Sequence, residues 1–329
     1  MSLVTFSIEA REETWLLKNV FRISRGERRE TQVVAVMISD GQHTGRSEGV
    51  PIRRYNQTTA SVLAQIESIR AEKDFSRQKL QTLLPAGAAR NALDCALWDL
   101  EAKKSSKRVW ELAGLSMKSE VETSFTISLD SPEQMSSAAR AHSAGPILKL
   151  KLNGDDVDLA RVEAVRAAAP NARLIIDANE SWSAGHYRKI VSALKTLSVE
   201  LIEQPFPADA DEVLETLEHP ISVCADESCH TSENLPRLRK RYDIINVKLD
   251  KTGGLTEALR LCDRAGENGF KLLIGCMVGT SLSMAPARIL ASVADYVDLD
   301  GPLLLARDRD HGLDYDNGKV GMPSAELWG

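Results

Sequence analysis

Eight short apolar segments alternate with longer segments of helical pattern between residues 121 and 301. The short segments have the length of β-strands, and the longer ones repeat apolar residues at spacings of three and four. Eight such repeats predict an α/β fold of the (β/α)8 barrel type, in which helices surround a cylinder of parallel strands. The predicted strands are VETSFTISL (121–129), ILKLKL (147–152), RLIIDAN (173–179), VELIEQP (199–205), ISVCADES (221–228), DIINVKL (243–249), KLLIGCM (271–277) and DYVDLDG (295–301).

These strands lack the phosphate-binding signature of a nucleotide-binding sheet. No G-x-G-x-x-G sequence follows any of them, and this argues against a dinucleotide-binding fold. The Gly253-Gly254 pair is predicted to form a turn before a helix rather than a phosphate cradle.

The residues that precede the barrel follow a different pattern. Segments 3–15 and 31–41 alternate or run apolar and are predicted strands, and the arginine-rich segment 18–30 between them is predicted to be a loop. Residues 58–110 are predicted to be mainly helical. A chain of 329 residues is long enough for a barrel and a smaller domain.

The strand 147–152 contains lysines where a barrel strand should be buried. Ile147, Lys149 and Lys151 share one face, and the leucines between them share the other. If the leucines face the surrounding helices, both ammonium groups point into the barrel. Active sites of such barrels lie where the strands end, so these lysines are candidate functional residues.

Acidic residues stand at the ends of the next three strands. Asp177, Glu203 and Asp226 are 26 and then 23 positions apart (203 − 177 and 226 − 203), which is one per strand–helix unit. Each acid alone could cap a turn, but three neighbouring carboxylates repel one another unless a cation joins them. Oxygen ligands favour Mg²⁺, and the absence of histidine from these strand ends argues against zinc.

The lysines predict the type of reaction. Lys151 and Lys248, on the second and sixth strands, lie on opposite sides of the ring. Lysine is a poor base at its usual pKa of about 10.4. Nearby cations such as Lys149 and a metal ion would lower the pKa of Lys151 towards the range useful for a general base. The metal would stabilise the oxyanion that forms when a carboxylate substrate loses its α-proton. Two opposed acid–base groups predict racemisation or epimerisation by 1,1-proton transfer.

Several longer motifs resemble those of one family. The chain is similar over nearly its full length to the enolase superfamily, to its muconate-lactonising subgroup and, within that, to the dipeptide epimerases. The motifs that carry the resemblance are LPAGAARNALDCALWDLEAK (84–103), IIDANESW (175–182), IEQPFPA (202–208), CADESCHT (224–231), NVKLDKTGGLTEAL (246–259) and DLDGP (298–302).

The resemblance implies three parts of the chain and a set of roles. An α+β capping domain (1–118) would close over the barrel (119–310), and a C-terminal tail (311–329) would return to the cap. Lys151 and Lys248 would be the acid–base pair. Asp177, Glu203 and Asp226 would bind one Mg²⁺ per subunit, and Lys149 would neutralise the substrate carboxylate.

The resemblance also implies a substrate, the murein-derived dipeptide L-Ala-D/L-Glu. Asp298 and Asp300 would bind its free N-terminus, and Arg25 or, as the less favoured alternative, Arg28 would pair with the glutamate side chain. Residues expected to line the site of the substrate backbone are Thr126, Cys276 and Met277. The loop sequence RRYNQT (53–58) replaces the Arg-Tyr-Gly-Glu of many members, so the preference for glutamate is the less constrained part of this prediction.

Other functions stay open on the sequence alone. Within the subgroup these are N-acyl amino acid racemisation, o-succinylbenzoate synthesis and cycloisomerisation, since subgroup lyases keep the same lysines. A barrel that binds metal without catalysis is a further alternative.

Charge and cysteine content limit partners and location. A net charge of −6 without a basic stripe argues against nucleic acid as a partner, and no run approaches the roughly 20 apolar residues of a membrane span. The five cysteines show no disulfide spacing, and Cys224, Cys229 and His230 lack the second ligand pair of a zinc finger. With no secretory signal visible, we expect a cytoplasmic enzyme with a dipeptide substrate, compatible with a homo-oligomer.

Overall fold

The computed structural model describes residues 6–72 and 75–329 and begins with an antiparallel sheet. Its strands β1 (Ser7–Ile23), β2 (Gly26–Ser39) and β3 (Thr44–Gly49) lie in the order β1-β2-β3. The first predicted strand starts at residue 3, and residues 3–5 of it lie outside the described residues.

The arginine-rich segment 18–30 is not the predicted loop. β1 and β2 continue through it as a hairpin, whose turn is Ser24-Arg25. The register shifts once, between Leu16 and Phe21. Gly26 follows the turn with φ +138°, a conformation that glycine adopts readily. The prediction was wrong because alternation of apolar and charged residues was masked by the density of arginines.

Four helices follow the sheet, as the helical pattern predicts. They are α1 (Thr59–Ser68), α2 (Arg77–Leu83), α3 (Ala88–Ser105) and α4 (Val109–Leu112), with a 3-10 turn at Arg53–Tyr55 before them. Most of α3 is buried, because one face packs on β3 and another on the barrel. Gly45 and Gly49 of β3 allow this helix to lie directly against the strand.

The barrel is an eight-stranded parallel sheet with neighbours in the order β12-β11-β10-β9-β8-β7-β6-β5. Its strands are β5 (Ser124–Ile127), β6 (Ile147–Lys151), β7 (Arg173–Asp177), β8 (Val199–Glu203), β9 (Ser222–Ala225), β10 (Ile244–Val247), β11 (Lys271–Gly275) and β12 (Tyr296–Asp298), preceded by the short β4 (Val121–Glu122). The predicted fold class, a barrel with a separate N-terminal α+β cap, is confirmed.

Side chains join the first and last barrel strands. Ser124 Oγ donates to Asp298 Oδ1 at 2.5 Å, and the Thr126 N–H donates to Asp300 Oδ2 at 2.6 Å. The Leu299 N–H donates to Thr123 Oγ1 at 2.9 Å. The seam of the barrel is therefore closed by acidic and hydroxyl side chains.

Helices cover the outside of the barrel and alternate with its strands, except after β8 and β12, where only 3-10 segments (Asp211–Thr216 and Gly301–Leu304) follow. Ser131 and Ser183 cap α5 and α7 by accepting from the backbone. The helices are α5 (Pro132–Ala141), α6 (Asp158–Ala168), α7 (Ala184–Thr196), α8 (Leu235–Leu238), α9 (Leu249–Thr252), α10 (Leu255–Glu267) and α11 (Ser281–Leu290), with further 3-10 segments at Ser232–Asn234 and Ala291–Val293.

The interior of the barrel has an apolar layer below a charged one. Leu148 and Leu150 pack outward among the helices, whereas Ile147 points inward. The apolar layer consists of Ile147, Ile175, Leu201, Cys224, Ile244 and Leu273. The alternation in 147–152 therefore places Lys149 and Lys151 inside the barrel, as predicted.

The C-terminal segment contacts both parts of the chain. Strands β13 (Tyr315–Asp316) and β14 (Lys319–Val320) extend β4 into a small antiparallel sheet. Trp328 is buried and donates through Nε1 to the Cys95 carbonyl of α3 at 3.1 Å. The division of the chain at residues 118 and 310 stays a prediction. Within the described residues, no helix has both the length and the apolar content needed to cross a bilayer.

Packing of α3 on β3 gives a stability prediction. A Cβ on Gly45 would overlap the Ala96 carbonyl oxygen and lie 2.5 Å from the Leu100 nitrogen. Because both atoms belong to the helix backbone, Gly45→Ala should lower the free energy of unfolding by about 1–3 kcal/mol or more in urea titrations. Gly266→Ala, where nothing lies within 4 Å, is the matched control and should not destabilise. Equal stability of both variants would contradict this packing.

Candidate active site

Three carboxylates meet at the mouth of the barrel. Asp177 and Glu203 end β7 and β8, and Asp226 directly follows β9. All three are buried, and one oxygen from each can be chosen such that the three lie within 4.8 Å of one another. The structure therefore brings together the three residues predicted to bind metal.

This set of donors fits a magnesium ion. Oxygens bound to one Mg²⁺ at about 2.0–2.1 Å lie roughly 3–4 Å apart, close to the spacing of these carboxylates. All three are carboxylate donors, without the histidine or cysteine that zinc prefers.

Burial and charge shift the pKa values of these acids in different directions. Burial, followed by the charge of Asp177, raises the pKa of Glu203 to about 7. Burial alone would raise the pKa of Asp177 too, but the charges of Lys151 and Lys149 hold it below its usual range. For Asp226, Lys248 and Lys251 likewise outweigh burial and lower the pKa.

Two lysines approach the carboxylates from opposite sides of the barrel. Lys151 Nζ on β6 lies 2.5 Å from Asp177 Oδ2, and Lys248 Nζ, just after β10, lies 2.6 Å from Asp226 Oδ2. β6 and β10 are four positions apart in the eight-stranded order, so they face each other across the ring. A small molecule above the carboxylates would have one amine on each side.

Lys149 is a fully enclosed cation of the mouth, with 1% of its side chain exposed. Its Nζ lies 2.7 Å from both Glu203 and Asp298 and 3.4 Å from Asp177. Burial would lower the pKa of Lys149, but the three carboxylates raise it well above its usual value. Lys149 is therefore a fixed positive charge among buried acids.

The predicted substrate residues surround the same cavity. Lining residues include Arg25, Thr126, Lys149, Lys151, Asp226, Lys248, Cys276, Met277, Asp298 and Asp300. Asp177 and Glu203 are fully buried next to this cavity, in contact with its lysines. All twelve predicted site residues are thus gathered at one end of the barrel.

Asp298, the last residue of β12, and Asp300, just after it, differ in what they already bind. Asp298 accepts from Ser124 at one oxygen and from Lys149 at the other. Asp300 Oδ2 accepts from the Thr126 N–H. Burial, followed by the charge of Asp298, raises the pKa of Asp300 to about 7. Asp300 therefore has fewer side-chain partners than Asp298.

The two candidate arginines also differ. Arg25 donates to Glu180 at 3.0 Å, to Glu227 at 2.6 Å and to the Asn179 carbonyl at 2.9 Å. Arg28 lines the cavity, packs over the Phe21 ring and has no salt bridge among the described residues. Burial lowers the pKa of Arg28 to about 10, and Arg53 adds to this effect.

Other parts of the cavity wall were not predicted. Phe21, Ile23, Tyr55 and Leu304 contribute to it. Tyr55 belongs to the 53–58 loop, which the family resemblance relates to the preference for glutamate, whereas Leu304 follows the last barrel strand without any local sequence signal.

Comparison with known proteins supports this architecture. Residues 133–326 match the family model "Enolase C-terminal domain-like", and residues 5–114 match "Mandelate racemase / muconate lactonizing enzyme, N-terminal domain". An N-acetyl-D-glutamate racemase of Pseudoalteromonas is 46% identical, over 90% of this chain and 95% of its own. The L-Ala-D/L-Glu epimerase of Escherichia coli is 43% identical, over 95% of this chain and 99% of its own.

Solved structures of similar proteins have the same fold. An enolase family member from Agrobacterium tumefaciens, with homology to dipeptide epimerases and with bound sodium and L-Ala-L-Glu, has a TM-score of 0.96 at 47% identity, covering 98% of this chain and 100% of that one. A dipeptide epimerase from Enterococcus faecalis, complexed with Mg and L-Leu-L-Tyr, has a TM-score of 0.89 at 27% identity, covering 96% of both chains.

The environment of Lys149 gives a second stability prediction. Lys149→Met should lower the free energy of unfolding by about 3–5 kcal/mol in denaturant titrations without divalent cations, since it removes the buried positive charge nearest to Glu203 and Asp298. Lys319→Met removes an ion pair whose lysine is 50% exposed, 3.4 Å from Glu120, and should change stability by less than about 1 kcal/mol. A Lys149 variant as stable as this control would contradict the assigned charge balance.

Proposed function

The chain belongs to the mandelate racemase/muconate lactonizing enzyme family of the enolase superfamily, and on that premise we propose that it is an Mg²⁺-dependent dipeptide epimerase. It inverts the α-carbon of the C-terminal residue and interconverts L-Ala-L-Glu and L-Ala-D-Glu. The observation that carries this proposal is the opposition of Lys151 and Lys248 across three carboxylates. Relatives named as epimerases and racemases support it.

The proposed mechanism uses one amine on each face of the α-carbon. Asp177, Glu203 and Asp226 would hold one Mg²⁺, which supplies stabilisation of the negative charge that develops on the substrate carboxylate. One lysine starts neutral and takes the α-proton, and the opposite lysine, protonated, delivers its proton to the other face. The two lysines exchange protonation states in each turnover, so the reverse reaction uses them in opposite roles.

Substrate recognition follows from the charges of the cavity wall. We assign the N-terminal ammonium group of the dipeptide to Asp300, because Asp298 is already bound to Lys149 and Ser124. We assign the glutamate side chain to Arg28 rather than Arg25, because Arg25 is already paired with Glu180 and Glu227. Murein as the source of the dipeptide, the cytoplasm as the place of reaction and a homo-oligomer stay predictions from the sequence.

Racemisation of N-acetylglutamate is the second candidate function. The relative at 46% identity is named for that reaction, and its substrate shares the inverted glutamate with L-Ala-Glu. The two substrates differ at the nitrogen, where the dipeptide carries an L-alanyl group with a free ammonium and the other carries a neutral acetyl group. Asp300, which we assign to the nitrogen end of the substrate, would attract the ammonium group and so favours the dipeptide.

The lysine pair gives the test of the proposed function. Wild-type protein with Mg²⁺ and L-Ala-L-Glu in D₂O should form L-Ala-D-Glu with deuterium at the glutamate α-carbon. Lys151→Ala and Lys248→Ala should each reduce epimerisation at least 10²–10⁴-fold, because each removes the acid–base group of one face. Chiral chromatography and mass spectrometry measure both effects.

The same experiment distinguishes the alternatives. One lysine variant should still exchange the α-hydrogen of one epimer with solvent, since its remaining amine serves that face. A Lys248 variant that epimerises normally would refute the two-base mechanism. Wild-type protein that exchanges no α-hydrogen in L-Ala-Glu or N-acetylglutamate would refute both candidate functions and favour a non-catalytic barrel.

Asp300 gives a prediction about substrate preference. Asp300→Asn should lower kcat/KM for L-Ala-L-Glu by about tenfold or more, since it removes a charge-assisted contact with the ammonium group. Turnover of N-acetylglutamate should change much less, because its acetyl group carries no charge. Equal losses with both substrates would remove Asp300 from the recognition of the N-terminus.

A further inference from the structure

Asn246 makes an unusual set of contacts inside the barrel. It lies on β10, is completely buried, and donates through Nδ2 to Glu203 Oε1 at 2.8 Å. Its Oδ1 accepts no hydrogen bond among the described residues. Buried amide oxygens nearly always have a partner, and an unpaired one is unfavourable. An aliphatic side chain at position 246 would avoid that cost. The presence of an amide there therefore indicates that its hydrogen bond to Glu203 has a role.

A glycine on the neighbouring strand makes room for this amide. A Cβ on Gly275 of β11 would overlap Asn246 Oδ1 and would lie 3.0 Å from its Nδ2 and 3.1 Å from its Cγ. These three nearest atoms all belong to the Asn246 side chain. The backbone of Gly275 is outside the left-handed region, so its conformation does not itself require glycine.

We propose that Asn246 is a positioning residue for Glu203 and that Gly275 is the space that allows it to act. The inference rests on the proposed metal site. A hydrogen bond to one carboxylate oxygen fixes the plane of the carboxylate and so the direction of its other oxygen, and such contacts behind a ligand tune metal affinity.

The neutrality of the amide suits this role. Two ammonium groups already lie close to the Glu203 carboxylate, with Lys149 Nζ at 2.7 Å and Lys248 Nζ at 3.8 Å. An amide orients the carboxylate without adding a third positive charge that would oppose a bound cation. Asn246 therefore holds the ligand while leaving the negative charge of the triad available.

A double-mutant cycle tests the proposal. Calorimetric titration of metal-free protein with Mg²⁺ is carried out on the wild type, on Asn246→Ala, on Gly275→Ala and on the double variant. Each single substitution should raise the Kd for Mg²⁺ by about 10–100-fold. The double variant should bind like Asn246→Ala alone, because the added Cβ then has no amide to displace. Gly266→Ala, in open space, should bind like the wild type.

One further measurement and one replacement variant separate positioning from loss of folding. The activity of both single variants should recover towards the wild-type kcat at saturating Mg²⁺, which a general folding defect would not do. Where Asn246→Ala does not fold, Asn246→Ser replaces it in the cycle, since its shorter side chain cannot reach Glu203.

Three outcomes would overturn the proposal. Single variants with wild-type Mg²⁺ affinity would refute the role of Asn246 while leaving the metal site intact. A Gly275→Ala effect of the same size in the presence and absence of Asn246 would refute the link between the two residues. Wild-type protein that does not bind Mg²⁺ would refute the metal site and this inference together.

Discussion

Charge compensation among buried groups is the interaction on which this structure depends. Asp177, Glu203 and Asp226 lie close together away from bulk water, where their mutual repulsion is strong. Lys149 and Lys151 contact this group from β6, and Lys248 contacts it from the opposite side. A barrel brings acids and lysines together because its strand ends deliver side chains to one common mouth. The clustering of these charges is unfavourable for stability, and it also forms the proposed metal site and the acid–base pair.

The closure of the barrel and its chemistry share residues. Asp298 joins β12 to Ser124 of β5 and also compensates Lys149. Asp300 joins the same seam through the Thr126 N–H and lines the cavity. The cap completes the site from above, since Arg28 and Tyr55 come from the N-terminal region. Substrate preference can therefore change in the cap or at the seam without moving the carboxylates, and this is consistent with one family whose relatives are named for dipeptides and for N-acetylglutamate.

Periodicity and register explain which features were predictable from sequence. Alternation in 147–152 placed Lys149 and Lys151 inside the barrel, and one acid per strand–helix unit placed Asp177 beside Glu203. The spacing pattern does not show which side chains pair with a candidate residue and so keep it from binding substrate. The engagement of Arg25 by Glu180 and Glu227 joins residues more than 150 positions apart. The hairpin at 18–30 was missed because its arginines hid the strand alternation. Asn246 and Gly275 are linked by the room between β10 and β11. The separation of two residues along the chain does not predict that distance.

A crystal structure of the protein with Mn²⁺ in place of Mg²⁺ and with L-Ala-L-Glu would show whether the ion and the reacting carbon lie where we propose. Anomalous scattering would locate the ion, and the dipeptide density would locate the glutamate α-carbon. We expect one ion bound by oxygens of Asp177, Glu203 and Asp226, with the α-carbon between the amines of Lys151 and Lys248. An ion bound elsewhere, or a dipeptide with both amines on the same face of its α-carbon, would contradict it.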